Sequence, residues 1–195
     1  MLKKFNIIIS NTQRSKKYID IFFLNKIYPQ EIFYLDNKKN QMIRSALKQK
    51  ILMYKKNYKI KFFSTTSTNN LNVLKYILKS KEKNIIFSGY PGDIIKNSKL
   101  LKKKNILHSH PGYLPKFKGS TTIYYSLLKT NKIYCTTFIM NKKIDSGKIL
   151  LRKEYKKPKN IKLIEDSYDN EIRAKSLLST LKKFNSLKKK KINNN

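Results

Sequence analysis

The sequence predicts an α/β fold: a Rossmann-like, mostly parallel sheet flanked by helices. Three observations carry that expectation. Short apolar runs bounded by turn residues recur along the first 110 residues, and stretches with apolar residues at three- and four-residue spacing separate them. The last of these runs ends in both histidines of the chain and is followed at once by Pro-Gly. Strands that alternate with helices pair in parallel through right-handed crossovers. Such sheets gather ligands outside the carboxyl ends of their strands.

In chain order, strands are expected at 5–10 (FNIIIS), 31–36 (EIFYLD), 60–64 (IKFFS), 84–90 (NIIFSGY) and 105–110 (NILHSH). Helical spacing fills 12–27, 41–54 and 69–80 between them. After a loop at 111–119, STTIYYSLLKT (120–130) reads as a helix, and YCTTFIMN (134–141) and GKILLRKEYK (147–156) read as two more strands joined by KKIDS. The stretch 160–184 has the caps and period of one or two helices. No internal repeat or linker divides the chain, so one catalytic domain is expected over 1–186, with a basic, disordered tail over 187–195.

A chain of 195 residues, 39% hydrophobic and 12% aromatic, suits a single domain with a sizeable core. One cysteine, Cys135, excludes an internal disulfide framework and fits a reducing compartment. The apolar run at the amino terminus is too short for a membrane span or a signal segment, and points to a cytoplasmic protein that does not engage a membrane. The formal net charge of +34 would by itself argue for a polyanionic partner. However, all but four of the 45 basic residues are lysine, spread along the whole chain, whereas base readout and phosphate forks favour arginine. Nucleic acid is therefore expected to bind only non-specifically, through charge.

The candidate site lies at the end of the fifth strand. Residues two apart on a strand point to one side, so His108 and His110 aim together; Pro111 then ends the ladder because it has no N–H. The loop PGYLPKFKG, with two prolines and two glycines, holds a fixed shape. An isolated histidine pair at a strand end is unremarkable. The acids narrow the reading: between Glu82 and Glu154 the chain has only Asp93 and Asp145, both in loops that follow strands. An aspartate paired to a histidine orients the imidazole and sets its protonation. Two neighbouring imidazoles would repel if both were charged, which keeps at least one neutral, and Asp145 would favour charge on His110.

The ordered set NIIFSGYPGDI, NILHSHPGYLPKFKGSTTIYYSLL and TTFIMNKKIDSGKILLRKEY resembles the formyltransferase family that uses 10-formyltetrahydrofolate. That family includes glycinamide ribonucleotide, methionyl-tRNA and sugar-nucleotide formyltransferases. Its pattern is Asn-x-His-Pro-x-x-Leu-Pro, then a glycine, then Asp-x-Gly-x-Ile some three dozen residues later. His110, Pro111, Leu114, Pro115, Gly119, Asp145, Gly147 and Ile149 stand at the matching positions. The likeness is good over about 84–156 and looser elsewhere.

The resemblance implies a formyltransferase-like catalytic domain, with His110 and Asp145 catalytic, 10-formyltetrahydrofolate as formyl donor and no metal. The family's Asn falls on His108, a departure at the position of the expected oxyanion donor, where a neutral imidazole could donate through one ring nitrogen as an amide would. The resemblance also implies a backbone clamp for the pterin, made by the loop after the fourth strand (Gly89, Tyr90, Pro91, Gly92 and Ile94) and the loop before Asp145 (Met140 and Ile144). Gly92 would allow close approach of main chain. The acceptor is expected to be a small primary amine, with a nucleotide-linked amino sugar as the candidate. The Gly-rich turn that holds a ribonucleotide phosphate is replaced here by SNTQRSKKY, and 195 residues leave no room for a tRNA-binding domain. Two alternatives are hydrolysis of the formyl donor and a non-catalytic domain that binds folate or polyanions.

Overall fold

The computed structural model describes residues 1–189, and the remaining residues of the expected tail, 190–195, lie outside the described residues. Seven strands form one sheet in the order β3-β2-β1-β4-β5-β6-β7. They are β1 (Asn6–Ser10), β2 (Glu31–Leu35), β3 (Lys59–Phe63), β4 (Asn84–Ser88), β5 (Asn105–His110), β6 (Ile133–Met140) and β7 (Gly147–Tyr155). Pairings among β1 to β5 are parallel, and β6 with β7 is antiparallel. The helices are α1 (Gln13–Leu24), α2 (Gln41–Met53), α3 (Leu71–Lys79), α4 (Ser98–Lys103), α5 (Thr122–Thr130) and α6 (Asp169–Lys189). All five expected parallel strands and the three helices between them form, with ends shifted by a residue or a few.

The chain groups into two compact units, Lys3–Leu107 on one hand and Met1–Leu2 with His108 onward on the other, and the boundary falls inside β5. In the first unit every residue of β1 is buried, as are Ile32 to Leu35 of β2 and Ile85 to Ser88 of β4. Strands covered on both faces are apolar throughout rather than alternating, which is why these runs are so plain in the sequence. Helix α1 buries Tyr18, Ile19, Phe22 and Phe23, and α3 buries Val73, Leu74 and Ile77, each set at helical spacing.

The second unit is built on the β6/β7 hairpin. Ile123, Ile133, Cys135, Ile164 and Ile172 form one cluster, and Leu114, Phe138 and Ile149 form another. Thr137 faces Leu151 and Phe138 faces Ile149, so Leu150 is an extra residue, a β-bulge. The bulge lets Ile149 and Arg152, three apart, both reach the 111–119 loop: Ile149 joins the Leu114 cluster and Arg152 Nε donates to Leu114 O at 2.7 Å.

Two short elements were not expected: α4 and a 3₁₀ turn at Lys55–Asn57. Helix α6 continues to Lys189, so 187–189 are helical rather than the start of the tail. Among the described residues no helix is long and apolar enough to cross a membrane.

Candidate active site

β5 carries both histidines at its carboxyl end. His108 is half-buried, with its ring edge-to-face against Phe138 at 5.9 Å between centroids. His110 is 3% exposed. Its Nδ1 lies 3.4 Å from Asp145 Oδ1, so the structure brings together two groups that are 35 positions apart in the chain. Its Nε2 lies 2.9 Å from Phe117 O and 3.2 Å from Thr122 Oγ1.

The parts that hold this pair are local. Asp145 sits in the turn between β6 and β7 with φ of 44°, a left-handed conformation that a short acidic side chain tolerates. Its Oδ2 accepts from Gly119 N at 2.8 Å, which ties that turn to the end of the 111–119 loop. Gly147, two residues on, has φ of 135°, and a Cβ there would stand 1.9 Å from Ile139 O, so only glycine closes the hairpin. The 111–119 loop is fixed in turn. Leu114 N donates to Thr136 Oγ1 at 3.2 Å, Thr136 Oγ1 donates to Gly112 O at 2.6 Å, and the Arg152 guanidinium lies 4.8 Å from the Tyr113 ring centroid.

Burial lowers the pKa of His110 from its ordinary value, and the neighbouring Arg173 acts in the same direction. Asp145, the Phe117 carbonyl and Asp169 pull it back up. Burial wins, so the charge on His110 that Asp145 alone was expected to favour is not the resting state. Arg173 donates from Nη1 to Ser109 O at 3.0 Å and pairs with Asp169 at 2.9 Å. Both line a cavity of about 190 Å³ together with Pro111, Thr121 and Thr122. Cys135, buried beside Ser109 at 3.1 Å, has its thiol pushed up to about 11 by burial. Among the described residues no group of three or more His, Cys, Asp or Glu side chains stands together.

The residues expected to hold the donor fall in both units. In the first, Gly89 is buried while Pro91, Gly92 and Ile94 are exposed. Gly92 has φ of 78°, a backbone conformation that favours glycine, with open space where a Cβ would be. The loop is cross-tied. Tyr90 Oη donates to Leu35 O at 3.1 Å and accepts from Asn11 N and Asn37 N, each at 3.4 Å. Arg14 donates to Gly89 O, and Asn69 Nδ2 donates to Ile94 O at 2.7 Å. Asp93, the other acid weighed for the site, accepts from Thr68 N at 2.9 Å and from Ser67 Oγ at 3.3 Å. In the second unit Met140 packs on the Leu114 cluster and Ile144 is exposed.

Thr122, Arg173 and the Phe117 carbonyl were not singled out from the sequence. A threonine opening a helix after Gly-Ser-Thr is a cue for Thr122, but no residue-type signal marks a backbone carbonyl.

A mostly parallel sheet with a buried histidine and an aspartate meeting beyond one strand end defines a Rossmann-like α/β protein with a candidate site at that strand end. A family model described as Formyl transferase matches residues 7–171, and the chain belongs to that family, whose members are enzymes that transfer formyl groups. It is 33% identical over 123 residues to the methionyl-tRNA formyltransferase of Helicobacter pylori, a match covering 58% of this chain and 38% of that protein. The chain thus spans about two fifths of the length of that relative. A sugar N-formyltransferase from a Shewanella species superposes with a TM-score of 0.64 at 16% identity, covering 98% of this chain and 74% of that one. A formyltetrahydrofolate deformylase from Pseudomonas syringae pv. tomato superposes with a TM-score of 0.68 at 12% identity, covering 96% of this chain and 62% of that one. At these identities the two structures speak to the fold.

Proposed function

We propose that the protein transfers a formyl group from 10-formyltetrahydrofolate to a primary amine, with His110 and Asp145 handling the proton and His108 supporting the developing oxyanion. The observation that carries the reading is the meeting of His110 Nδ1 and Asp145 Oδ1 at 3.4 Å in a chain of this family. Attack on a formyl carbon requires a neutral amine, a donor for the oxygen as charge grows on it, and a group that takes the proton the amine sheds. A buried imidazole lowered toward neutrality is a proton acceptor at neutral pH. His108 stands on the same face of β5, two residues earlier.

The donor supplies the activated formyl group, and the loops assigned to it present suitable surface within each unit. Ile94 is 43% exposed and Ile144 is 58% exposed, offering apolar contact to a flat heterocycle. The acceptor we favour is a small amine, with an amino sugar on a nucleotide carrier as the first choice. In support, the start of α1 is closed by its own side chains: Thr12 Oγ1 accepts from Ser15 N at 3.2 Å, and Ser15 Oγ accepts from Ser10 N at 3.0 Å. A phosphate at that helix end would compete with these bonds. We place the enzyme in the cytoplasm, with nucleic acid held only by non-specific charge.

The test is release of tetrahydrofolate from 10-formyltetrahydrofolate with amino-sugar nucleotides, glycinamide ribonucleotide, methionyl-tRNA or no amine. Release that depends on one amino-sugar nucleotide supports the full reading. Release with either of the other amines keeps the transferase and replaces the acceptor; release with water alone makes the protein a hydrolase.

A further inference from the structure

His110 Nε2 lies between two oxygens, and both are acceptors toward it. Phe117 O, at 2.9 Å, is a carbonyl and accepts only. Thr122 Oγ1, at 3.2 Å, commits its own proton to Pro111 O at 3.0 Å and so turns a lone pair toward the ring. Nε2 therefore bears hydrogen whatever the charge of the ring. A neutral imidazole has one N–H, and here it is spent at Nε2.

Nδ1 is then the nitrogen with the lone pair, and it faces Asp145. Its 3.4 Å separation from Oδ1 is longer than the ~2.7–2.9 Å of a charge-assisted N–H···O bond, as expected when two acceptors confront each other. A proton arriving between them converts this contact into an ion pair. Asp145 is the more accessible partner, its side chain 15% exposed against 3% for His110. The charged groups that face the ring are Asp145 from the β6/β7 turn and Arg173 and Asp169 from α6, the last two opposing each other.

We infer that the Phe117 carbonyl and the Thr122 hydroxyl hold His110 as its Nε2–H tautomer, so that Nδ1, on the Asp145 side, accepts the proton of the attacking amine, with Thr122 a positioning residue. This deepens the formyl-transfer reading and rests on it for the origin of the proton. In balance, a bond forms between the amine nitrogen and the formyl carbon. The bond from that carbon to the folate nitrogen breaks, with its electron pair going to the nitrogen. The proton lost by the amine rests on Nδ1 and leaves with the folate nitrogen. Gly112 is part of the device, because a Cβ there would stand 2.9 Å from Nε2 and 3.0 Å from Thr122 Oγ1.

The experiment uses the whole chain with ¹⁵N-labelled histidine and no donor or amine, recording long-range ¹H–¹⁵N correlations across pH. The chain has two histidines, so His108→Asn and His110→Gln assign the two rings. Above its pKa, His110 is expected to show protonated Nε2 and unprotonated Nδ1; the opposite tautomer, or a ring doubly protonated well above neutral pH, overturns the inference. Thr122→Val, similar in size, is expected to raise the Nδ1–H population and lower kcat about tenfold with KM nearly unchanged, the loss of one hydrogen bond. Thr122→Ser should restore both. An unchanged tautomer and kcat in Thr122→Val would remove Thr122 from the device. If Nε2–H is found but no amine is formylated, the formyl-transfer reading and the proton's origin fall while the tautomer stands.

Discussion

Asp36 and Asp145 each follow a strand of the sheet, yet their surroundings oppose each other. Asp36 meets Arg44 through two bonds at 2.8 and 3.0 Å, Lys48 at 2.8 Å and Asn11 Nδ2 at 3.2 Å. Burial pushes its carboxyl up, but the Arg44 and Lys48 bonds outweigh this and hold it well below the usual carboxylate range. Asp145 instead meets one backbone N–H and one imidazole that burial makes reluctant to charge. A carboxylate answered by permanent cations fastens loops together. One answered by a titratable ring leaves a place for a proton.

The two carboxylates differ most at the imidazole ring. His110→Ala and Asp145→Asn should each lower formyl transfer by roughly 10²–10⁴-fold, the range for a lost acid or base, with unchanged circular dichroism. Full activity in either variant would make Asp145 as structural as Asp36. At the other pole, Asp36→Asn should destabilise the fold by about 1–3 kcal/mol in denaturant titration, since Arg44 and Lys48 lose a charged acceptor.

The sign of the pH effect also separates the two. Because the folded pKa of Asp36 is depressed, its contribution is present above ~3.9 and is lost as pH falls through the folded value, so Asp36→Asn should flatten the acid limb of stability. His110 is likewise lowered, so its share is present above ~6.5 and fades as pH falls through the folded value. The acid limb of kcat/KM should therefore lie below that ordinary histidine value.

Gly112→Ala forces a methyl between Nε2 and Thr122, and about a tenfold loss of kcat is expected together with an overpacking cost of about 1–3 kcal/mol, measured by steady-state kinetics beside thermal melts. His108→Asn should show the smallest effect, activity retained or raised, because an amide serves as an oxyanion donor as well. A large loss there would give His108 a role of its own.

The fold was legible where physics acts on contiguous residues. Strands β1, β2 and β4 announce themselves because burial on both faces demands unbroken apolar runs. Helix α4, six residues long, is too short to establish a period, and its cue was the Asn97 cap that accepts from Leu100 N at 2.8 Å. The pair of His110 and Asp145 was legible through spacing and the scarcity of acids. The charge balance was not, because the burial that outweighs Asp145 comes from elements distant in sequence. Tyr90 is instructive in another way. The family resemblance put it in the backbone clamp for the pterin, and its hydroxyl ties that loop to Leu35 O, Asn11 N and Asn37 N, partners that only folding brings together.

The extra residue at Leu150 makes length itself a determinant of chemistry. With the bulge in place, Phe138 meets Ile149 and Thr136 meets Arg152 on one face. Delete one residue from β7 and either the apolar anchor or the guanidinium is carried to the far side, loosening the loop that supplies Phe117 and Gly119 to His110 and Asp145. Substitutions along this hairpin are a matter of degree, whereas insertions and deletions act in whole steps, and family members that keep the reaction should tolerate the first far better than the second.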